Sequence, residues 1–106
     1  MKLFEIHTTE INGEQEYSYV HLAAAENIDR VWEIARQHAL EWYDSDNPDE
    51  HKTDDENIFE FFGACLMLKI DSVSETTLKD WVHSQIARRA ITEIPDALSK
   101  VEGVRL

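Results

Sequence analysis

Residues 58–70, Ile-Phe-Glu-Phe-Phe-Gly-Ala-Cys-Leu-Met-Leu-Lys-Ile, are the one long apolar run in a chain whose net charge is −12. Any core that the chain builds has to be assembled around them. Strand alternation puts Ile58 and Phe62 on one face with Ala64, Leu66, Leu68 and Ile70, and puts Phe59, Phe61, Cys65 and Met67 on the other. A strand with one wet face alternates apolar with polar residues, whereas this one is apolar on both faces, so it is expected to be covered on both.

The flanking segments supply the covering. Residues 3–9 and 16–24 read as two strands joined across Asn12-Gly13, a dipeptide that favours a hairpin. A two-residue loop at Asn12-Gly13 sets Phe4 and Ile6 on the face of Tyr19 and His21. A three-residue loop over residues 11–13 pairs Phe4 with Val20 and Ile6 with Ser18, and it separates apolar from polar side chains better, so it is the preferred register. Its outer face carries Glu5, His7, Thr9, Tyr17, Tyr19 and His21.

After Ala25 the apolar period lengthens from two to about 3.6. Asn27 suits an N-cap, Asp29 suits the first turn, and Ile28, Val31, Trp32, Ala35, Ala39 and Trp42 make the inner stripe of a helix that ends near Tyr43. Residues 44–57 hold seven acids against Lys52 and no aliphatic side chain, and they read as a mobile loop. Beyond the apolar run, Asp71-Ser72-Val73-Ser74 leads into a second helix capped by Ser74 or Thr77, with Leu78, Trp81, Val82, Ile86 and Ala90 as its stripe and Arg88 and Arg89 at its C-terminus. Residues 91–106 form a tail with no assigned structure.

At 106 residues the chain has room for one core, and the expected fold is a single α+β domain of order β-β-α-β-α. A crossover through the first helix makes the third strand parallel to the second and returns it beside the first. The result is a three-stranded sheet of order 2-1-3 with both helices on one face.

Charge and composition narrow the function. A chain this acidic repels nucleic acid and anionic membrane surfaces, and favours cationic partners. The longest uncharged apolar stretch, residues 64–68, is far shorter than a membrane span. Cys65 stands alone, which fits a buried thiol in a reducing, cytoplasmic setting.

No metal or cofactor site is assigned. In the preferred register His7 and His21 lie about four residues apart along the strands, too far to share an ion, and His38 with Glu41 finds no matching ligands. A calcium loop starting at Asp44 fails where Asp49 replaces the turn glycine and Asp55 replaces the bidentate glutamate. No catalytic residues are assigned either. The serines lack a partnered histidine, and the three glycines are scattered rather than gathered in a phosphate-cradling loop.

The expected function is therefore non-enzymatic interaction, as an inhibitor or decoy that meets a basic macromolecular surface with Asp44, Asp46, Asp49, Glu50, Asp54, Asp55 and Glu56. A small enzyme or ligand-binding domain using the Tyr/His face of the hairpin is one alternative, and a structural subunit without a specific ligand is another. Phe59, Phe61, Cys65 and Met67, apolar on an edge strand, are the expected homodimer interface.

Overall fold

The structure, a computed structural model, describes residues 1–43 and 45–90, with the side chains of residues 88–90 left aside. Two strands, β1 (Lys2–Asn12) and β2 (Gln15–Ala25), precede helix α1 (Ile28–Leu40) and a 3₁₀ turn, Pro48–His51. Strands β3 (Ile58–Phe61) and β4 (Leu66–Thr76) follow, and then helix α2 (Leu78–Ala90). The four strands form one antiparallel sheet of order β2-β1-β4-β3.

This replaces the three-stranded, β-β-α-β-α sheet of order 2-1-3. The apolar run is two strands, not one. Phe62, Gly63 and Ala64 all adopt left-handed backbone, with φ of 55°, 64° and 68°, and the chain reverses so that Phe61 pairs with Leu66. The reversal also explains the apolar content of both faces. Before the turn the inward residues are odd-numbered, Phe59 and Phe61, and after it they are even-numbered, Leu66, Leu68 and Ile70. A single strand would send those two sets to opposite faces, while a hairpin gathers them on one.

β4 then runs on through the stretch expected to lead into a helix. Its register against β1 slips between His7 and Thr8, leaving Asp71 as the extra residue of a bulge. The Thr9 hydroxyl donates to Asp71 Oδ2 at 2.5 Å. Past the bulge the inward phase returns to odd numbers at Val73. Because β4 meets β1 antiparallel, no parallel pair exists among the described strands and the crossover argument does not apply.

The first hairpin also differs from the preferred register. Asn12 pairs with Gln15 around the two-residue loop Gly13-Glu14, and Ile6 pairs with His21. Gly13 has φ of 63° while Glu14 stays at negative φ, the pattern of a type II′ turn, which matches the twist of the strands it joins. Phe4, Ile6, Thr8 and Glu10 therefore share the inner face with Ala23, His21, Tyr19 and Tyr17, and Val20 and Leu22 face outward. Sorting by hydrophobicity chose wrongly because the inner face takes in the acid Glu10, which accepts from the Tyr19 hydroxyl, and His21, whose ring stacks on Tyr19.

α1 lies on this inner face. Asn27 caps it, its side-chain oxygen accepting from the Arg30 amide at 2.9 Å, and Val31, Ala35, Ala39 and Leu40 are buried. Val31 and Leu68 are fully buried and Phe61 nearly so. The helix ends at Leu40, three residues before the expected stop, which frees Trp42 and Tyr43 to turn back over the sheet. The compact unit Met1–Thr76 contains all of this, and a second unit begins at Thr77. There Thr77 caps α2, its hydroxyl accepting from the Asp80 amide at 3.1 Å. The tail over residues 91–106 lies outside the described residues, as do the side chains of Arg88 and Arg89.

Candidate functional site

The acidic segment is tied to the body of the protein instead of hanging from it. His51 lays its ring against Phe61, with centroids 4.3 Å apart, and its Nδ1–H donates to the Glu60 carbonyl at 3.0 Å. Lys52 forms a β-bridge to Phe59, and the Thr53 hydroxyl donates to the Ile58 carbonyl at 2.9 Å. From α1, Arg36 donates to Asn57 Oδ1 and to Glu56, each at 3.2 Å. An aromatic contact and a short ladder thus do what aliphatic anchors would otherwise do.

This packing presents the carboxylates in two groups. Asp54, Asp55 and Glu56 join Glu33 of α1 along a groove of about 460 Å³ whose floor is Leu40 and Phe59 and whose cations are Arg36 and Lys52. Asp49 and Glu50 lie on the 3₁₀ turn, Asp49 paired with Lys52 at 2.9 Å. Glu50 shares a second, shallower recess with His51, Glu60 and Phe62. Asp46 is exposed beside them, and Asp44 lies outside the described residues.

The four residues assigned to a dimer interface do not share a surface. Phe59 and Phe61 are 2% and 1% exposed in the core, Met67 stands opposite Glu60 on the outer face, and Cys65 is exposed in the β3–β4 turn. His7 and His21 are likewise separated. His7 points to the outer face, 3.0 Å from Glu5, and His21 to the inner one. Among the described residues no three His, Cys, Asp or Glu side chains gather where they would hold a metal ion.

A second polar constellation went unseen in the sequence. Glu10 is 5% exposed, and two phenols grip its carboxylate: the Tyr19 hydroxyl donates to Oε2 at 2.9 Å, and the Tyr43 hydroxyl donates to Oε1. Each bond favours the protonated phenol. Together with partial burial it raises Tyr19 above its usual pKa and pushes Tyr43 up to about 12. Beside this pair His21 meets His38 edge-to-face at 4.8 Å, and Trp42 packs against both rings and against Tyr19. Burial, and then the neighbouring His38, lower the pKa of His21. Its Nδ1 is buried with no hydrogen-bond partner among the described residues.

The cluster fastens the end of α1 and the residues after it to the hairpin, since Glu10 comes from β1, Tyr19 and His21 from β2, and His38, Trp42 and Tyr43 from the helix end. One sequence signal pointed to it: Glu10 is in phase with Phe4, Ile6 and Thr8, and an acid on an apolar phase needs donors. Comparison with protein-family models, with curated proteins and with solved structures gives no match.

Proposed function

We propose that this protein is a non-enzymatic binding module that docks a basic protein surface on the acidic edge formed by α1 and residues 46–57, acting as an inhibitor or decoy. The observation that carries this reading is the attachment of that segment. Arg36, His51, Lys52 and Thr53 tie it to α1 and β3, which keeps Asp54, Asp55 and Glu56 beside Glu33 along a groove that Leu40 and Phe59 also line. A lysine or arginine from a partner would lay its aliphatic stem on Leu40 and Phe59 and leave its charge among the acids. Fixing the acids in advance lowers the ordering cost of binding, and the surrounding field speeds encounter.

The chain carries eight acids and one lysine over residues 44–60, a net −7 of its −12. Carboxylates at this density stand in for the phosphates that a nucleic-acid-binding protein expects. The reading includes a homodimeric state and a cytoplasmic setting. No helix of the described residues is long and apolar enough to cross a membrane.

The test is affinity capture from native extract by the full chain and by a chain carrying Asp49→Asn, Glu50→Gln, Asp54→Asn and Asp55→Asn. A specific basic protein should be retained by the first, released as salt shortens the screening length below about 8 Å, and lost from the second. Retention that survives both changes refutes the acidic edge as the binding surface.

A further inference from the structure

The sheet has two edges, and they are treated differently. β3, four residues long, is covered: Lys52 bridges to Phe59, and the Thr53 hydroxyl takes up the Ile58 carbonyl. β2 is eleven residues long and, among the described residues, pairs on one side only, with β1. It lacks the devices that keep edges from pairing, with no proline, lysine, arginine or bulge. Glu16 is its one charged residue, in a chain with 22 acids.

The hairpin geometry says which groups point out. In a two-residue loop the flanking residues, here Asn12 and Gln15, exchange hydrogen bonds with each other, and the ladder then alternates. The amides and carbonyls of Glu16, Ser18, Val20, Leu22 and Ala24 therefore face away from β1. The side chains of these same residues lie on the outer face of the sheet, where Val20, Leu22 and Ala24 make a short apolar row.

We infer that β2 is a self-pairing edge: two copies of this chain join antiparallel along β2, about a twofold axis at Val20, into one continuous eight-stranded sheet. A second copy is the occupant that the charges favour, because β2 offers an equally acidic partner only one acid in eleven residues, where β1 and β4, of the same length, carry two each. The axis follows from the strand ends. Only when Val20 faces Val20 of the second copy do all the residues of Gln15–Ala25 find partners. That register sets Glu16 against Ala24, Ser18 against Leu22 and Tyr17 against Ala23, so no acid within the strand meets an acid. All the outward amides and carbonyls are then used at once. This rests on the homodimer of the proposed function but not on its basic partner, and it moves the interface from the apolar run to β2.

Light scattering and sedimentation of the full chain at low and at about 0.5 M salt test it, because screening lessens repulsion between two acidic protomers. The expected result is twice the chain mass, with association strengthening as salt rises. Val20→Pro removes an outward N–H and leaves the β1 ladder intact, so it should give a monomer with an unchanged circular dichroism spectrum. Val20→Lys sets two ammonium groups across the axis and should do the same should the proline variant not fold. In the wild type, the amides of Ser18 and Leu22 should exchange at least about tenfold more slowly than in the monomeric variant. A monomer at high micromolar concentration and high salt overturns the inference. A dimer that survives both substitutions overturns this interface while leaving dimerisation itself standing.

Discussion

Removing one hydroxyl, by Tyr43→Phe, tests whether the Glu10 cluster holds the fold together. Glu10 is 5% exposed, and each of its carboxylate oxygens takes one phenol. Without the Tyr43 hydroxyl, Oε1 loses that donor while the surrounding chain still excludes most water. A hydrogen bond to a charged group is worth about 1.5–3 kcal/mol net, and an unsatisfied buried acceptor costs a similar amount. Tyr43 is half-buried, so water can reach part of the vacated position, and the expected loss is at the lower end, about 1–2 kcal/mol. The Phe ring keeps its packing on Phe61 and Phe62, whose centroids lie 5.2 and 5.3 Å from that of Tyr43. Urea unfolding at neutral pH should show the loss as a lower midpoint with an unchanged slope. A midpoint that does not move, with Tyr19→Phe equally silent, would refute the view that these phenols support a buried charge. The pH dependence is a second check. Tyr43 is pushed up to about 12, above the value near 10 of an unfolded tyrosine. Its contribution should therefore be complete below pH 10 and lost as pH rises towards 12.

Other outcomes follow from the same structure. His21 is held below its usual pKa, so the unfolded chain binds the proton more readily. Stability should fall as pH drops from about 6.5, and His21→Phe should flatten that dependence in urea titrations between pH 8 and 5. Leu68→Ala, at a fully buried position, should cost about 2–5 kcal/mol by the same assay. Gly63→Ala meets no steric neighbour within 4 Å but must adopt φ of 64°, and it should cost about 1–2 kcal/mol from left-handed backbone alone. Asp54→Asn with Asp55→Asn, both exposed, should change stability by no more than about 0.5 kcal/mol, which separates the proposed binding role from any role in folding.

The extent to which the fold could be read from the residues depended on phase. The start of α1 at its Asn27 cap, the Thr77 cap and the existence of the first hairpin each rest on local rules that acted alone there, whereas the hairpin's register and the end of α1 at Leu40 do not. The β3–β4 hairpin was missed because its turn is built from Phe62 and Ala64 in left-handed backbone, a conformation that neither residue type advertises. Gly63 was the only local signal, and a lone glycine inside a strand pattern is also compatible with a bulge. The decisive clue was the switch of the apolar set from odd to even numbers between Phe61 and Leu66, and back again at Asp71. A strand cannot make that switch without a turn or an extra residue. The Glu10 cluster escaped for a different reason. Its members come from β1, β2 and the end of α1, and only the finished register shows that an acid and two phenols converge.

The two proposed associations make opposite use of one charge. Contact with a basic partner at the α1 groove draws on the long-range field, so added salt should weaken it. Pairing along β2 works against that field, so added salt should strengthen it. The fold keeps them apart. Residues 52–53, which cover the β3 edge, continue directly into the acids that line the groove, whereas β2, with one charge in eleven residues and no second partner strand among the described residues, is separated from β3 by β1 and β4. The segment that prevents pairing at one edge is thus the segment that presents the carboxylates. An acidic surface spread evenly around the sheet would have repelled a second copy as strongly as it attracted a basic partner. Concentrating −7 of the charge within residues 44–60 would let the proposed dimer form along β2 with both acidic grooves still open, and such a bivalent acidic protein would gain avidity wherever a partner offers two basic patches within reach.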